Sequence, residues 1–515
     1  MIRNFILRNR FGLFFLTIIA AHTTTLGAGF AEPTKSRGPL EFQITRTDKV
    51  HPEPISTRVY IFLGTPGAPR PPRTGPDFLN PSPFFAVDVK DWKVGEPAVI
   101  GADSLGYPTE LALLKPGKYA IQAVVRLNPD THDLGTGEGN AYGEPIVAEL
   151  DPAKPAKFDL KIDTIVPPKP FKESDRIKLV DIPSPLLSAF YHRPIRMRGA
   201  VILPKGVTID QTEKRPSLYI IPGFGGDHHM AAIFERTPRL AFGGRFVRIV
   251  LDPDCGTGHH VFADSATNGP RGEALVKEFI PYIEAHFPVI ADPRARLLTG
   301  HSSGGWSSLW LQIAYPDTFG GVWSTSPDPV DFRHFQTIDI YAPKANAFKN
   351  DRGEPLPVAR FNLKPVMYYE QMSKVEGATG PGGQLGSFEA VFSPRDDDGK
   401  PLQLWDRKTG AIDPAIAKAW EKYDIRLKIE RSADELLPKL KGKLHVITGE
   451  DDTFYLEDAV KRLDETLKRL GSDARIEVIP SKDHMNLLDN KLAERIEAEM
   501  NAAVSDYLPK SSQLK

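Results

Sequence analysis

Residues Gly300-His301-Ser302-Ser303-Gly304 fit the pattern G-x-S-x-G. Such a segment makes a tight turn that lifts a serine hydroxyl into solvent, and it works only if the residues two before and two after that serine are small. Ser302 has glycine at both places, whereas Ser303 has His301 at its −2 position, so Ser302 is the better nucleophile. A serine hydroxyl attacks a carbonyl carbon only with a general base beside it, and the base needs a carboxylate to orient it. His484, in Ser481-Lys482-Asp483-His484-Met485, is the candidate base. Asp452, in Gly449-Glu450-Asp451-Asp452, is the candidate acid, with Asp451 and Glu450 as alternatives. An oxyanion also needs two backbone N–H donors. Ser303 offers one, and Phe224 or Gly225 in Pro222-Gly223-Phe224-Gly225-Gly226 offers the other. His301 and Trp306 are candidates to contact the substrate.

These residues do chemistry together only if strands deliver them to one rim. Each follows a short apolar run: Leu218–Ile221 before the glycine loop, Arg296–Thr299 before the elbow, Lys443–Thr448 before the acid, and Ile476–Ile479 before the histidine. Amphipathic helical patterns alternate with these runs. Leu275, Phe279, Ile283 and Phe287 recur every four residues, and Val460, Leu463, Leu467 and Leu470 precede Gly471. That alternation predicts an α/β fold, a mostly parallel sheet with helices on both faces, over residues 195–510. A stretch at about 326–440 breaks the rhythm and reads as a loop-rich insertion over the sheet edge, carrying Trp405 and Trp420.

Residues 32–166 read as a smaller all-β unit, an antiparallel sandwich. Arg58–Leu63 is a β-branched and aromatic run, and Lys157–Asp163 alternates with period two. Pro167-Pro168-Lys169-Pro170 opens a stiff linker, residues 167–194. Residues 1–31 have the organisation of a secretory signal: Arg3, Arg8 and Arg10, then an apolar run from Phe11 to Ala21, then Gly29-Phe30-Ala31 before Glu32. The expectation is a secreted or periplasmic protein with no stable membrane insertion after cleavage.

With 65 Lys plus Arg against 66 Asp plus Glu, the net charge of −1 excludes a strongly basic nucleic-acid binder. Hydrophobic residues at 41% fit a globular chain of several domains. The single cysteine, Cys255, excludes an intramolecular disulfide and multi-cysteine metal sites. His228-His229 and His259-His260 lack the spacing of a zinc motif and read as substrate-loop or surface residues. Asp396-Asp397-Asp398-Gly399 lacks the glutamate that closes a calcium loop and reads as an acidic turn. The pattern therefore calls for no metal and no cofactor.

PGFGG after an early strand, GHSSGGWSSLW at the elbow, YPDTFGGVWSTSPDP after it, and GEDD with SKDH near the end together resemble the Putative esterase family of α/β-hydrolases. Its members include enterochelin esterase-like proteins, feruloyl esterases, S-formylglutathione hydrolase and antigen 85 mycolyltransferases. The resemblance covers roughly residues 195–510. It implies an α/β-hydrolase fold, a nucleophile–acid–base set at Ser302, Asp452 and His484, and oxyanion donors at Ser303 and near Phe224. It also implies a small-molecule or carbohydrate-linked ester as substrate. The alternatives are an acyltransferase of the mycolyltransferase type and an inactive binding protein. Two features depart from the family pattern: Pro222 stands where many relatives have histidine, and the 326–440 stretch is longer than in compact members.

Overall fold

A computed structural model describes residues 40–77, 81–237 and 244–508; the signal-like segment 1–31 lies outside the described residues. The chain divides into two compact units. The first holds the described residues of Met1–Pro76, Ser82–Val125 and Ala141–Thr164, and the second those of Asp77–Pro81, Arg126–Asn140 and Ile165–Lys515.

The first unit is built from two sheets. In the larger, Ile55–Gly64 pairs antiparallel with both Phe84–Trp92 and Gly117–Val125. In the smaller, Leu40–Arg46 pairs antiparallel with Ala98–Ile100 but parallel with Ala156–Ile162. The antiparallel expectation thus fails for that one pair, whose strands lie more than a hundred residues apart and are joined through the rest of the unit rather than by a hairpin. Leu40, Phe42 and Ile44 are buried on alternate positions, as in a half-buried strand, whereas Val59–Leu63, Phe84–Ala86 and Ala120–Val125 are buried without a break.

The second unit is an eight-stranded sheet. We label its strands β1 (Ile177–Pro183), β2 (Arg196–Ile202), β3 (Ser217–Ile221), β4 (Val247–Leu251), β5 (Arg296–His301), β6 (Gly321–Thr325), β7 (Leu444–Gly449) and β8 (Arg475–Ile479). Their spatial order is β1-β2-β4-β3-β5-β6-β7-β8. Only β2 runs against its neighbours; every pair from β4 to β8 is parallel. The central strands are buried on both faces, which is why they read as unbroken apolar runs. On β3, Leu218 and Ile220 enter one core with Trp323, Ile496 and Met500, while Tyr219 and Ile221 enter the other with Phe279, Trp306 and Leu309.

Five helices bear on the site: α1 (Ser303–Ala314), α2 (Tyr369–Thr379), α3 (Gln384–Phe392), α4 (Glu457–Arg469) and α5 (Asn490–Ala503). The stretch between β6 and β7 is not merely loop. It forms α2, α3 and further helices at Pro414–Trp420, Ile425–Arg431 and Ala433–Leu440. Its aromatics pack on α1 rather than on a sheet edge: the Phe392 ring lies 5.2 Å from Trp306 and 5.1 Å from Trp420. Short helices broken by prolines and turns hide this packing from a periodicity search. Among the described residues, no helix is long and apolar enough to cross a membrane.

Candidate active site

Ser302 sits between β5 and α1 with φ 60° and ψ −128°. That is a sharply turned conformation for a non-glycine residue. Its N–H donates to the Thr325 carbonyl on β6 at 3.1 Å, and its own carbonyl accepts from Trp306 N at 3.0 Å. The flanking glycines are obligatory. A Cβ on Gly300 would lie 2.1 Å from the Gly304 carbonyl oxygen, and one on Gly304 would lie 2.0 Å from the Ile221 carbonyl oxygen. The mutual crowding expected at −2 and +2 is real, and the second glycine also lets α1 press against β3.

The acid and the histidine meet. His484 Nδ1 is 2.9 Å from Asp452 Oδ2, with both side chains almost fully buried. Two backbone links tie their loops together: Glu450 N donates to the Ile479 carbonyl and Asp451 N to the Lys482 carbonyl, both at 2.9 Å. Gly449 makes the approach possible, since a Cβ there would fall 2.1 Å from the Lys482 carbonyl oxygen. Asp452, rather than Asp451 or Glu450, therefore faces the imidazole. Its other oxygen accepts from Phe454 N at 2.9 Å, and Arg360 Nε donates to its carbonyl at 2.9 Å.

The His484 ring is held between two others. The His301 ring lies 4.5 Å away at 48°, and Phe454 meets it edge-on at 4.8 Å. His301 is the residue before Ser302, so the imidazole stands beside the elbow. Among the described residues no hydrogen bond yet joins the Ser302 hydroxyl to His484; such bonds are often loose without substrate and tighten in its presence. Burial alone would lower the His484 pKa, but the Asp452 charge and hydrogen bond outweigh it and the net shift is upward. In Asp452, burial opposes ionisation, yet the same pairing keeps its pKa below the ordinary value. Burial, and then the neighbouring His484, push His301 down to about 3, so it stays neutral. Its Nδ1 pairs with Thr325 Oγ1 at 3.1 Å.

The glycine loop after β3 lies directly against Ser302. A Cβ on Gly223 would be 3.3 Å from Ser302 Cβ and 3.9 Å from its Oγ. Phe224 and Gly225 follow within the turn closed by Gly226 N to the Gly223 carbonyl, 2.9 Å. Ser303 begins α1, so its N–H has no carbonyl four residues earlier within the helix to bind. His259 anchors the loop. Its Nε2 is 2.9 Å from the Pro222 carbonyl, while its Nδ1 accepts from Val261 N, so Nε2 carries the proton. Burial holds this imidazole down to about 4. His259 and His260 are thus buried structural residues, not surface ones.

Sequence reasoning missed Asp328. Its carboxylate accepts the Ser303 hydroxyl at 2.5 Å, and its N–H donates to the Ser302 carbonyl at 3.3 Å. Asp328 lines a crevice with Gln336, Gln384, Phe388 and Phe454. Burial raises its pKa to about 6. The available signal was its place just past β6, the same strand-end logic that singles out Asp452 and His484. Trp306, expected to contact substrate, is 1% exposed and stacks on Trp310 at 5.3 Å, because α1 is enclosed on nearly every side. Cys255 is buried, its thiol pKa raised by that burial, and Asp396-Asp397-Asp398-Gly399 is a turn in which Asp396 accepts from Lys400 N.

This constellation at the carboxyl ends of a mostly parallel sheet is that of an α/β-hydrolase. The chain belongs to the family described as Putative esterase, whose model matches residues 194–485, and it is an ester-cleaving hydrolase. Among solved structures it is similar to a Staphylococcus aureus serine hydrolase, FphF, at 14% identity and TM-score 0.38, covering 64% of this chain and 99% of that one. It is also similar to an S-formylglutathione hydrolase from Agrobacterium tumefaciens, at 15% and 0.36, covering 65% and 96%. A third likeness is a ferulic acid esterase from Anaeromyces mucronatus, at 14% and 0.33, covering 65% and 94%. No curated protein matches the chain in sequence. The family assignment rests on the match over 194–485.

Proposed function

We propose that the protein is a serine carboxylic ester hydrolase working through Ser302, His484 and Asp452. The observation that carries this reading is the buried Asp452–His484 pair, 2.9 Å apart, standing beside the strained serine of the elbow. In the proposed reaction His484 Nε2 takes the Ser302 proton as Oγ attacks the ester carbonyl carbon. Asp452 keeps Nδ1 protonated and stabilises the imidazolium that forms. The N–H of Ser303 and that of Phe224 or Gly225 receive the oxyanion. Collapse expels the alcohol, which takes the proton back from His484. Water, deprotonated by the same imidazole, then attacks the acyl-enzyme and frees the acid and Ser302.

Export is part of the proposal and rests on residues 1–31. A mature chain beginning at Glu32, read by N-terminal sequencing of protein recovered outside the cytoplasm, supports it; a chain retained intact inside the cell refutes it. The chemistry is tested with p-nitrophenyl acetate. The purified chain should hydrolyse it with a burst of p-nitrophenol, and Ser302→Ala should lose several orders of magnitude in rate. Equal rates for the two would refute the reading.

A further inference from the structure

Immediately after the glycine loop, Asp227, His228 and His229 form a second cluster that the ester chemistry does not use. One ligand atom from each lies within 4.8 Å of the others. His229 Nδ1 is 3.2 Å from Asp227 Oδ2, and His228 Nδ1 is 2.9 Å from Asp252 Oδ2. Neither contact is aligned as a hydrogen bond: Nδ1 of His228 and both ring nitrogens of His229 are shut off from solvent without a hydrogen-bond partner. Buried polar atoms without partners are rare and call for an explanation. Donor atoms that surround a zinc ion at about 2.0–2.2 Å stand roughly 3 Å apart and point at the ion, not at one another. The 3.2 Å between His229 Nδ1 and Asp227 Oδ2 is close to that spacing, and a ligand atom of His228 lies within 4.8 Å of the other two residues' ligand atoms.

The surroundings fit as well. Phe171 packs its ring on both imidazoles, at 5.5 Å from His228 and 5.4 Å from His229. Asp252 Oδ2, 2.9 Å from His228 Nδ1, stands on the Nδ1 side of that ring and leaves Nε2 as its ligand atom. Asp227 Oδ2 accepts from Lys169 Nζ at 3.1 Å and Oδ1 accepts from His229 N at 2.8 Å, so an ion at Oδ2 takes the place of the lysine. Its side chain is 61% exposed, so it can swing away.

We propose that Asp227, His228 and His229 bind a divalent transition metal of the zinc class, with water completing the shell. Two imidazoles and one carboxylate favour such an ion over magnesium or calcium, which prefer all-oxygen sites. Its role is structural: it would fix the segment next to the Phe224 loop. The inference is independent of the ester-hydrolase reading.

The test is zinc titration of the full chain by calorimetry, after chelator treatment and dialysis, with metal content checked by mass spectrometry. The wild type should bind one zinc tightly and melt at a higher temperature with it. His229→Ala should weaken that binding at least tenfold and abolish the thermal shift. If His229→Ala proves misfolded by circular dichroism, the isosteric Asp227→Asn should show the same loss. Absence of zinc binding in the wild type, or binding unchanged in the folded variant, would overturn the proposal.

Discussion

Asp452 and His484 come from loops after neighbouring strands, 32 residues apart in sequence, yet their side chains meet at 2.9 Å in a nearly dry environment. In such a place burial costs each charge much of what the pairing returns, and losing either partner strands the other. Asp452→Asn should therefore keep the shape of the site while removing the charge. We expect a fall in kcat of about 10^4 with little change in KM. Steady-state kinetics on p-nitrophenyl acetate check this, and a fall of less than tenfold would speak against the assignment.

The pH profile follows from the same pair. In the proposed mechanism His484 is a base only when neutral, and its pKa is raised in the fold. Activity should rise with pH along a single limb whose midpoint lies above the ordinary imidazole value of about 6.5. Asp452→Asn removes the charge that raises it, so in the residual activity of that variant the limb should move to lower pH. Rates measured from pH 5 to 9 for both proteins would show it. A shift in the opposite direction would contradict the electrostatics described.

His301 faces His484 with ring centroids 4.5 Å apart and stays neutral. Placing a fixed positive charge there should oppose the imidazolium that forms during attack. His301→Arg is expected to lower kcat/KM by more than tenfold, while His301→Gln, which keeps a polar group toward Thr325, should lose less. Comparison of the two variants separates charge from packing, because both replace the ring.

Asp328 is a buried carboxyl whose pKa rises to about 6. Between roughly pH 4, where it ionises in the unfolded chain, and pH 6, the native state binds more protons than the unfolded one. Its contribution to stability must then fall as pH rises through that window. Asp328→Asn, which cannot ionise, should gain stability relative to wild type as pH goes from 4 to 7. Urea unfolding at both pH values measures the difference, and a gap that narrows or reverses would contradict the prediction.

The elbow admits no side chain at its glycines. Gly304→Ala would drive a Cβ into the Ile221 carbonyl, and backbone cannot yield there as a flexible side chain could. The expected result is loss of activity with a lowered melting temperature, by about 1–3 kcal/mol or more of stability. An active variant with an unchanged melting curve would contradict it.

Much of this site was legible because strand ends are legible. The runs before Ser302 and Asp452 are short, mostly apolar and end in Gly300 and Gly449, and the run before His484 ends in Pro480, so each strand end is marked by a turn residue. Asp452 and Asp451 are harder to tell apart, since a run of three acids carries no orientation; only Asp452 has its carboxylate against His484, at 2.9 Å. Other parts had no local signature. His259 looks like a surface histidine until its contact with Pro222, 37 residues back in the chain, is seen. Trp306 stands close to the elbow in sequence, which fits a pocket lining or buried core equally; its ring is buried. The helices between β6 and β7 escaped notice because their core is shared with α1 and is not their own.

The most direct measurement is covalent. A fluorophosphonate probe should modify the wild-type chain once, with the adduct mapped by peptide mass spectrometry to Ser302. It should fail to label Ser302→Ala and should label His484→Ala far more slowly. An adduct on another serine, or labelling of His484→Ala at the wild-type rate, would contradict the account.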